Sequence, residues 1–154
     1  MAKEIERKFL VDKSKLPKNL PKPHNITQGY IQAKGATVRI RISDNKAYLT
    51  LKGKTEGISR SEFEYPIPFE DAKDILQELC IKPFIQKKRY DIIIGNHKWE
   101  LDIFEGANNG LIIAEVELEN EDEEFIKPQW VLDDVSMDRR YKNSYLVNHP
   151  YSQW

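Results

Sequence analysis

Glu4-Ile5-Glu6-Arg7-Lys8-Phe9 sets two carboxylates one residue apart, and the same spacing returns at Glu62-Phe63-Glu64 and Glu115-Val116-Glu117. In an extended strand, residues two apart point to one face. Each segment therefore carries two acids side by side, with Ile5, Phe63 and Val116 on the opposite face. Phe9, Tyr65 and Leu118 continue those apolar faces. Like charges held this way repel by about 4 kcal/mol for a pair roughly 4 Å apart at an effective dielectric of about 20. Something positive belongs between them, and a hard divalent cation with oxygen ligands is the natural candidate.

Working outward, period-two alternation predicts eight strands, at residues 3–11, 27–34, 37–43, 46–53, 60–67, 86–94, 97–104 and 111–119. Lys34-Gly35, Asp44-Asn45, Gly95-Asn96 and the Gly106–Gly110 loop supply turns between them. Phe69 to Cys80 reads as a helix, with Ala72, Ile75, Leu76 and Leu79 as its apolar stripe and Glu70 and Asp71 in its first turn. A second helix is predicted from Asn120, behind acidic Glu121–Glu124, to a stop before Pro128. Residues 138–148 form a third, short one, and residues 14–23 are a Pro-rich connector. The class is α+β, dominated by an antiparallel sheet.

The strand faces are sorted by charge. Arg39 and Arg41 oppose Val38, Ile40 and Ile42; Thr50 and Lys52 oppose Leu49 and Leu51; Lys87 and Arg89 point together. Glu100 and Asp102 share a face opposite Trp99, Leu101 and Ile103. An ordinary sheet with one solvated side explains any single strand. Across the set it explains less, because solvated faces mix in Ser, Thr and Gln whereas these are almost purely ionic. The alternative is a sheet curled into a barrel, charges inside, with room for one small ligand. Charges buried dry cost several kcal/mol each, so such a barrel must be a wet tunnel with a ligand matching both signs. A linear polyphosphate with Mg²⁺ or Mn²⁺ meets that demand: bases grip phosphoryl oxygens while carboxylates hold the cation.

Composition narrows the rest. At 154 residues the chain is one domain, 1–154, long enough for a core. Lys+Arg 24 against Asp+Glu 25 gives no bulk attraction to nucleic acid or an anionic membrane. Cys80 is the lone cysteine, which rules out an internal disulfide and reads as a small core residue. No apolar run reaches the roughly 18 residues needed to span a bilayer, and no signal-peptide core precedes the first strand, so the cytoplasm is the default location. Gly53-Lys54-Thr55 resembles the end of a phosphate-binding loop, but Tyr48 stands where its first Gly is required. His24, His97 and His149 have no zinc-like spacing.

The ordered blocks Glu4–Phe9, Gln28-Gly29-Tyr30, Val38–Arg41, Leu49–Gly53, Arg60–Glu64, Lys87–Tyr90, Trp99–Asp102, Ala114–Glu117 and Asp138–Asn143 resemble the CYTH superfamily, the triphosphate tunnel metalloenzymes. The likeness spans essentially the whole chain and is greatest to the short bacterial-type members. It implies an eight-stranded antiparallel β-barrel, a tunnel with a few flanking helices, that binds triphosphates with a divalent metal, Mg²⁺ or Mn²⁺. By that analogy Glu4, Glu6, Glu115 and Glu117 are metal ligands, and Glu62, Glu64 and Asp102 hold or tune a second ion. Lys8, Arg39, Arg41, Lys52 and Arg89 bind phosphoryl oxygens, and Tyr30 and Lys87 stand nearest the chemistry. An ion pair with a tunnel base is an equal alternative for Glu64 and Asp102, and a core aromatic for Tyr30.

The implied reaction is hydrolysis of a triphosphate, inorganic tripolyphosphate first, to diphosphate and phosphate. A class IV-type adenylate cyclase, a nucleoside or thiamine triphosphatase and a non-catalytic polyphosphate-binding module are the alternatives. The expected partner is a small-molecule triphosphate, with neither membrane nor nucleic acid, and a homodimer is left open. So is the question of whether Arg140 or Lys142 closes the tunnel.

Overall fold

The computed structural model describes residues 2–154. All eight predicted strands are present: β1 (Lys3–Val11), β2 (His24–Ile31), β3 (Thr37–Ser43), β4 (Lys46–Lys52), β5 (Ser59–Ile67), β6 (Ile85–Ile94), β7 (His97–Phe104) and β8 (Ile112–Glu117). They pair antiparallel in the order β5-β4-β3-β2-β6-β7-β8-β1, and β1 returns to β5 to close the barrel. One edge of β1 runs against β8 from Glu6↔Glu117 to Leu10↔Ile113. Its other edge meets β5 from Lys3↔Ser61 to Ile5↔Ser59. A ninth strand, β9 (Val131–Asp134), takes up the second edge of β1 where β5 has left it. Four residues with mostly exposed side chains give no usable alternation, which is why β9 escapes a periodicity reading.

Closure decides which face is inside. The ionic faces turn inward, and Glu4, Arg39, Lys52, Lys87, Arg89, Asp102 and Glu115 are all buried. Apolar faces pack outward under loops and a helix. Phe9, Trp99, Leu101, Val116 and Trp130 form one such cluster. A second lies beneath α1 (Phe69–Leu79), where Ala72 and Leu76 meet Ile40, Ala47 and Cys80. Gly29 of β2 is where α1 comes closest, and a Cβ there would stand 2.8 Å from Leu76 Cδ2 and 2.9 Å from Cys80 Cβ. Gly29→Ala is therefore expected to destabilise by about 1–3 kcal/mol, the usual cost of overpacking, as read by urea unfolding.

A third apolar cluster has a different position. Tyr30, Ile85, Phe104 and Ile113 come from inward-facing strand positions, and Val135, Tyr141, Leu146 and Val147 of the C-terminal segment pack on them. That segment, a 3₁₀ turn at Arg139–Tyr141 followed by α2 (Asn143–Leu146), is the short helix expected within 138–148 and plugs the barrel interior at one end.

The helix expected from Asn120 does not form. Local side-chain bonds take its place: Asn120 Oδ1 accepts from the Asp122 amide, and Glu123 Oε1 accepts from the Glu119 amide at 2.6 Å. Such bonds compete with helix formation. Phe125 then packs edge-on against both Phe9 and Trp99, with ring centroids 5.9 and 5.8 Å away, and ties the loop to that cluster. Among the described residues no helix is long and apolar enough to cross a membrane.

Candidate active site

The barrel encloses a cavity of about 200 Å³ whose accessible wall is almost wholly polar. Every predicted site residue except Asp102 lines it. Each wall has its own sign, because each strand brings its same-face neighbours as a set. β1 contributes Glu4, Glu6 and Lys8, β3 contributes Arg39 and Arg41, and β8 contributes Glu115 and Glu117.

The acids meet in pairs. Glu6 faces Glu115, and burial together with the charge of Glu115 and then Glu4 pushes the Glu6 carboxyl well above its ordinary value. Burial pulls Glu115 the same way, but Lys8, the hydrogen bond from Glu6 and Arg89 outweigh it and hold Glu115 well below. The two carboxyls are thus driven in opposite directions, as happens where like charges meet away from water. Glu62 is raised to about 7 by burial and by its contact with Glu4. In Glu4, burial is outweighed by Lys52, whose Nζ lies 3.0 Å from its Oε2 and 3.3 Å from Glu62 Oε2. Glu117 is raised by burial and by Glu4 and Glu100. Glu64 accepts from Arg39 Nη2 at 3.3 Å and from Thr50 at 3.1 Å.

Asp102 stands apart. It is fully buried, accepting from Lys87 Nζ at 2.7 Å and from Arg89 through a bidentate pair at 2.7 and 2.8 Å. Both its oxygens are engaged by these two bases.

Several bases keep donors free. Lys87 is 1% exposed, and burial, opposed by Asp102 and reinforced by Arg89 and Arg41, lowers its amine to about 7. Arg41 is lowered to about 9 by burial and by Arg39 and Arg89; its Nε donates to Gln28 Oε1 at 2.8 Å. Arg39 has a buried Nε with no partner among the described residues. Lys8 donates to the Tyr141 carbonyl at 3.1 Å, whereas Arg89 also reaches Glu100 at 3.2 Å. The Tyr30 hydroxyl accepts from Gln28 Nε2 at 2.8 Å, and its ring belongs to the apolar plug, so Tyr30 joins both environments.

The CYTH domain matches residues 2–145 of the chain. The chain belongs to the CYTH family. An inorganic triphosphatase from Acetivibrio thermocellus is 47% identical over 155 residues, covering 100% of this chain and 99% of the relative. One from Nitrosomonas europaea is 33% identical over 94% of this chain and 96% of its own length. The crystal structure of an inorganic triphosphatase superposes with a TM-score of 0.67 at 30% identity, covering 96% of this chain and 95% of that one. A Hippeastrum adenylyl cyclase candidate with dominant triphosphatase activity shares the fold at 18% identity and a TM-score of 0.58, over 78% of this chain and 80% of that one.

CYTH membership implies a divalent metal, and the carboxylates suit one. Glu4 with Glu62, and Glu6 with Glu115, are all-oxygen donor pairs whose mutual repulsion a hard cation relieves. Among the described residues no three such groups converge on one point.

Residues outside the predicted set also line this CYTH cavity: Thr37, Arg60, Glu100, Lys142, Asn143 and Ser144. Arg60 and Glu100 lie two residues before Glu62 and Asp102, so the same face rule that found those acids reaches them. The two C-terminal bases, Arg140 and Lys142, differ in position. Lys142 lines the cavity and donates to Thr55 at 3.1 Å, whereas Arg140 is exposed, paired with Asp138 at 2.7 Å. Asn143 closes the Asp138–Asn143 block, but no spacing assigns it a role, since the segment's only periodicity is that of its apolar anchors.

Proposed function

We propose that this protein hydrolyses inorganic triphosphate to diphosphate and phosphate with a divalent metal, Mg²⁺ or Mn²⁺. The observation that carries the reading is the cavity itself, where acid pairs face bases with free donors across about 200 Å³. That volume lies below the roughly 300–1,000 Å³ of pockets for drug-sized ligands. Tyr30 is the one aromatic on its wall among the described residues, so nothing there stacks a nucleotide base. A bare phosphate chain fits such a lining better than ATP does. The relatives named inorganic triphosphatase support the same choice.

Glu4, Glu6, Glu115 and Glu117 would hold the metal, with Glu62 and Glu64 beside them; bound there, the ion supplies charge neutralisation of phosphoryl oxygens. Lys8, Arg39, Arg41, Lys52 and Arg89 bind and orient the chain's remaining oxygens, Arg in bidentate fashion and Lys as point charge. Asp102 aims Lys87 and Arg89 at the cavity. Lys87 directs its free N–H to the terminal phosphoryl group, and Tyr30 turns its own O–H toward the attacking water. Water adds to the terminal phosphorus, the bridging P–O bond breaks, and diphosphate leaves. Positioning and fixed charge suffice for the loose transition state of such a transfer.

Phosphate release from tripolyphosphate in Mg²⁺ or Mn²⁺, absent in EDTA and faster than from ATP, is the expected result. Cyclic AMP from ATP would favour a cyclase, and tight binding without turnover a binding module. Arg41→Ala is expected to raise the tripolyphosphate KM by about 10-fold or more, the loss of a charge-assisted contact. An unchanged KM would remove Arg41 from the substrate site.

A further inference from the structure

Between the charged cavity and the apolar plug lies a pair of linked amides, Gln28 buried and Asn143 half-buried, that the proposed roles leave unused. Asn143 Oδ1 accepts from Lys87 Nζ at 2.8 Å and from Gln28 Nε2 at 3.1 Å. Gln28, with no exposed surface, spends its second N–H on Tyr30 and its oxygen on Arg41 Nε. The orientation of both amides follows from their neighbours. Lys87 and Arg41 can only donate, so each must meet an oxygen.

An ammonium has three N–H groups; Asp102 and Asn143 take two from Lys87, and one remains for the cavity. Arg41 is held through Nε alone, and its terminal nitrogens meet no acceptor among the described residues. Asn143 Nδ2 likewise has no partner among them, although the residue lines the cavity. Once the oxygen is fixed on Lys87 and Gln28, the NH₂ must lie on the other side of the amide.

We infer that Asn143, delivered by the C-terminal segment, completes the substrate site: its oxygen positions Lys87 and, through Gln28, Arg41, and its amide nitrogen donates to a phosphoryl oxygen. The plug is then more than a stopper, because Tyr141 and Leu146 on either side of Asn143 anchor it in the apolar cluster. Docking the segment and arming two of the bases become one event. The inference rests on the triphosphate reading above.

Two readouts test it: calorimetric binding of inorganic tripolyphosphate to the metal-free protein in EDTA, and kcat with metal. Asn143→Ala is expected to weaken binding about 10-fold or more and to lower kcat by about 10- to 100-fold, the range for losing hydrogen bonds to charged groups. In a Lys87→Met background the same change should still weaken binding but no longer lower kcat, because the group it positions has gone. Losses of kcat that multiply would overturn the positioning role, and unchanged binding would overturn the donor role. Asn143→Asp is isosteric and keeps the acceptor for Lys87 and Gln28 while placing an oxygen against the polyanion. It should bind more weakly than Asn143→Ala yet recover kcat at saturation; failure to recover would also sink the positioning role. If the wild-type protein neither binds nor hydrolyses tripolyphosphate, the triphosphate reading falls first and this inference with it. Wild-type binding with an indifferent Asn143→Ala removes this inference alone.

Discussion

Glu6→Gln is expected to abolish metal-dependent phosphate release and, in the same protein, to raise the melting temperature of the metal-free form above neutral pH. Both effects follow from one contact. Glu6 is pressed against Glu115 in a half-buried setting, and its carboxyl is raised by desolvation, Glu115 and Glu4, in that order. A folded-state value above the unfolded one contributes stability that is complete below the unfolded value, about 4.3 for Glu, and is lost as pH rises through the folded value. Glu62, raised to about 7, loses its contribution as pH climbs through 7. Without metal the wild-type protein should thus weaken as pH climbs from about 4.5 through 7 and beyond. The introduced glutamine cannot ionise, and its amide can still donate to Glu115, so the variant escapes that part of the loss. Bound cation relieves the same repulsion in the wild type. The activity loss should exceed about 100-fold, the upper end for groups that merely orient a ligand. Melting curves at pH 6 and pH 8, with EDTA or Mg²⁺, and a phosphate-release assay decide the matter. A metal-free variant less stable than wild type at pH 8 would refute the like-charge account, and retained turnover would refute Glu6 as a ligand.

Most of the barrel is legible in the chain because a strand's period of two is unambiguous when one face is ionic and the other apolar. Arg39-Ile40-Arg41 and Trp99-Glu100-Leu101-Asp102 can adopt only one register without exposing a core face or burying an unpaired charge. What alternation leaves undetermined is which face is concave. Sorting of the charges hints at it, and the return of β1 to β5 shows it, a contact between Lys3–Ile5 and Ser59–Ser61 far apart in sequence. The absence of a helix after Asn120 has a local cause. Its acidic run resembles a first turn, but Asn120 and Glu123 satisfy backbone amides themselves, and Phe125 gains more from the Phe9–Trp99 cluster than from a helical stripe.

The site is legible wherever a residue's role follows from its face. Asp102 shows the limit. Its face is right, but its partners depend on which side chains β6 lays beside β7, where Arg89 pairs with Asp102 in register. Asn143 shows the other limit, since a polar side chain on a short segment is placed by the apolar residues around it and not by any spacing of its own.

Asp102→Ala is expected to destabilise the protein by about 3–5 kcal/mol, the range for removing one partner of a buried ion pair. Lys87 and Arg89 would be left with their charges in the barrel wall and no acid at hydrogen-bonding distance from the Lys87 amine. For a chain of this size each kcal/mol moves the melting temperature by about 2–4 °C, so a fall of roughly 10 °C is the readout. Asp102→Asn keeps an acceptor oxygen but no net charge, and should fall between wild type and Ala. The same variants separate the two roles open to this acid. Its oxygens are already taken by three donors, so the stabilisation that Mg²⁺ or Mn²⁺ gives should survive in Asp102→Asn while it is lost in Glu6→Gln. A vanished metal shift in Asp102→Asn would return Asp102 to the ligands, and it would mean that Lys87 and Arg89 turn to other acids when the cation binds.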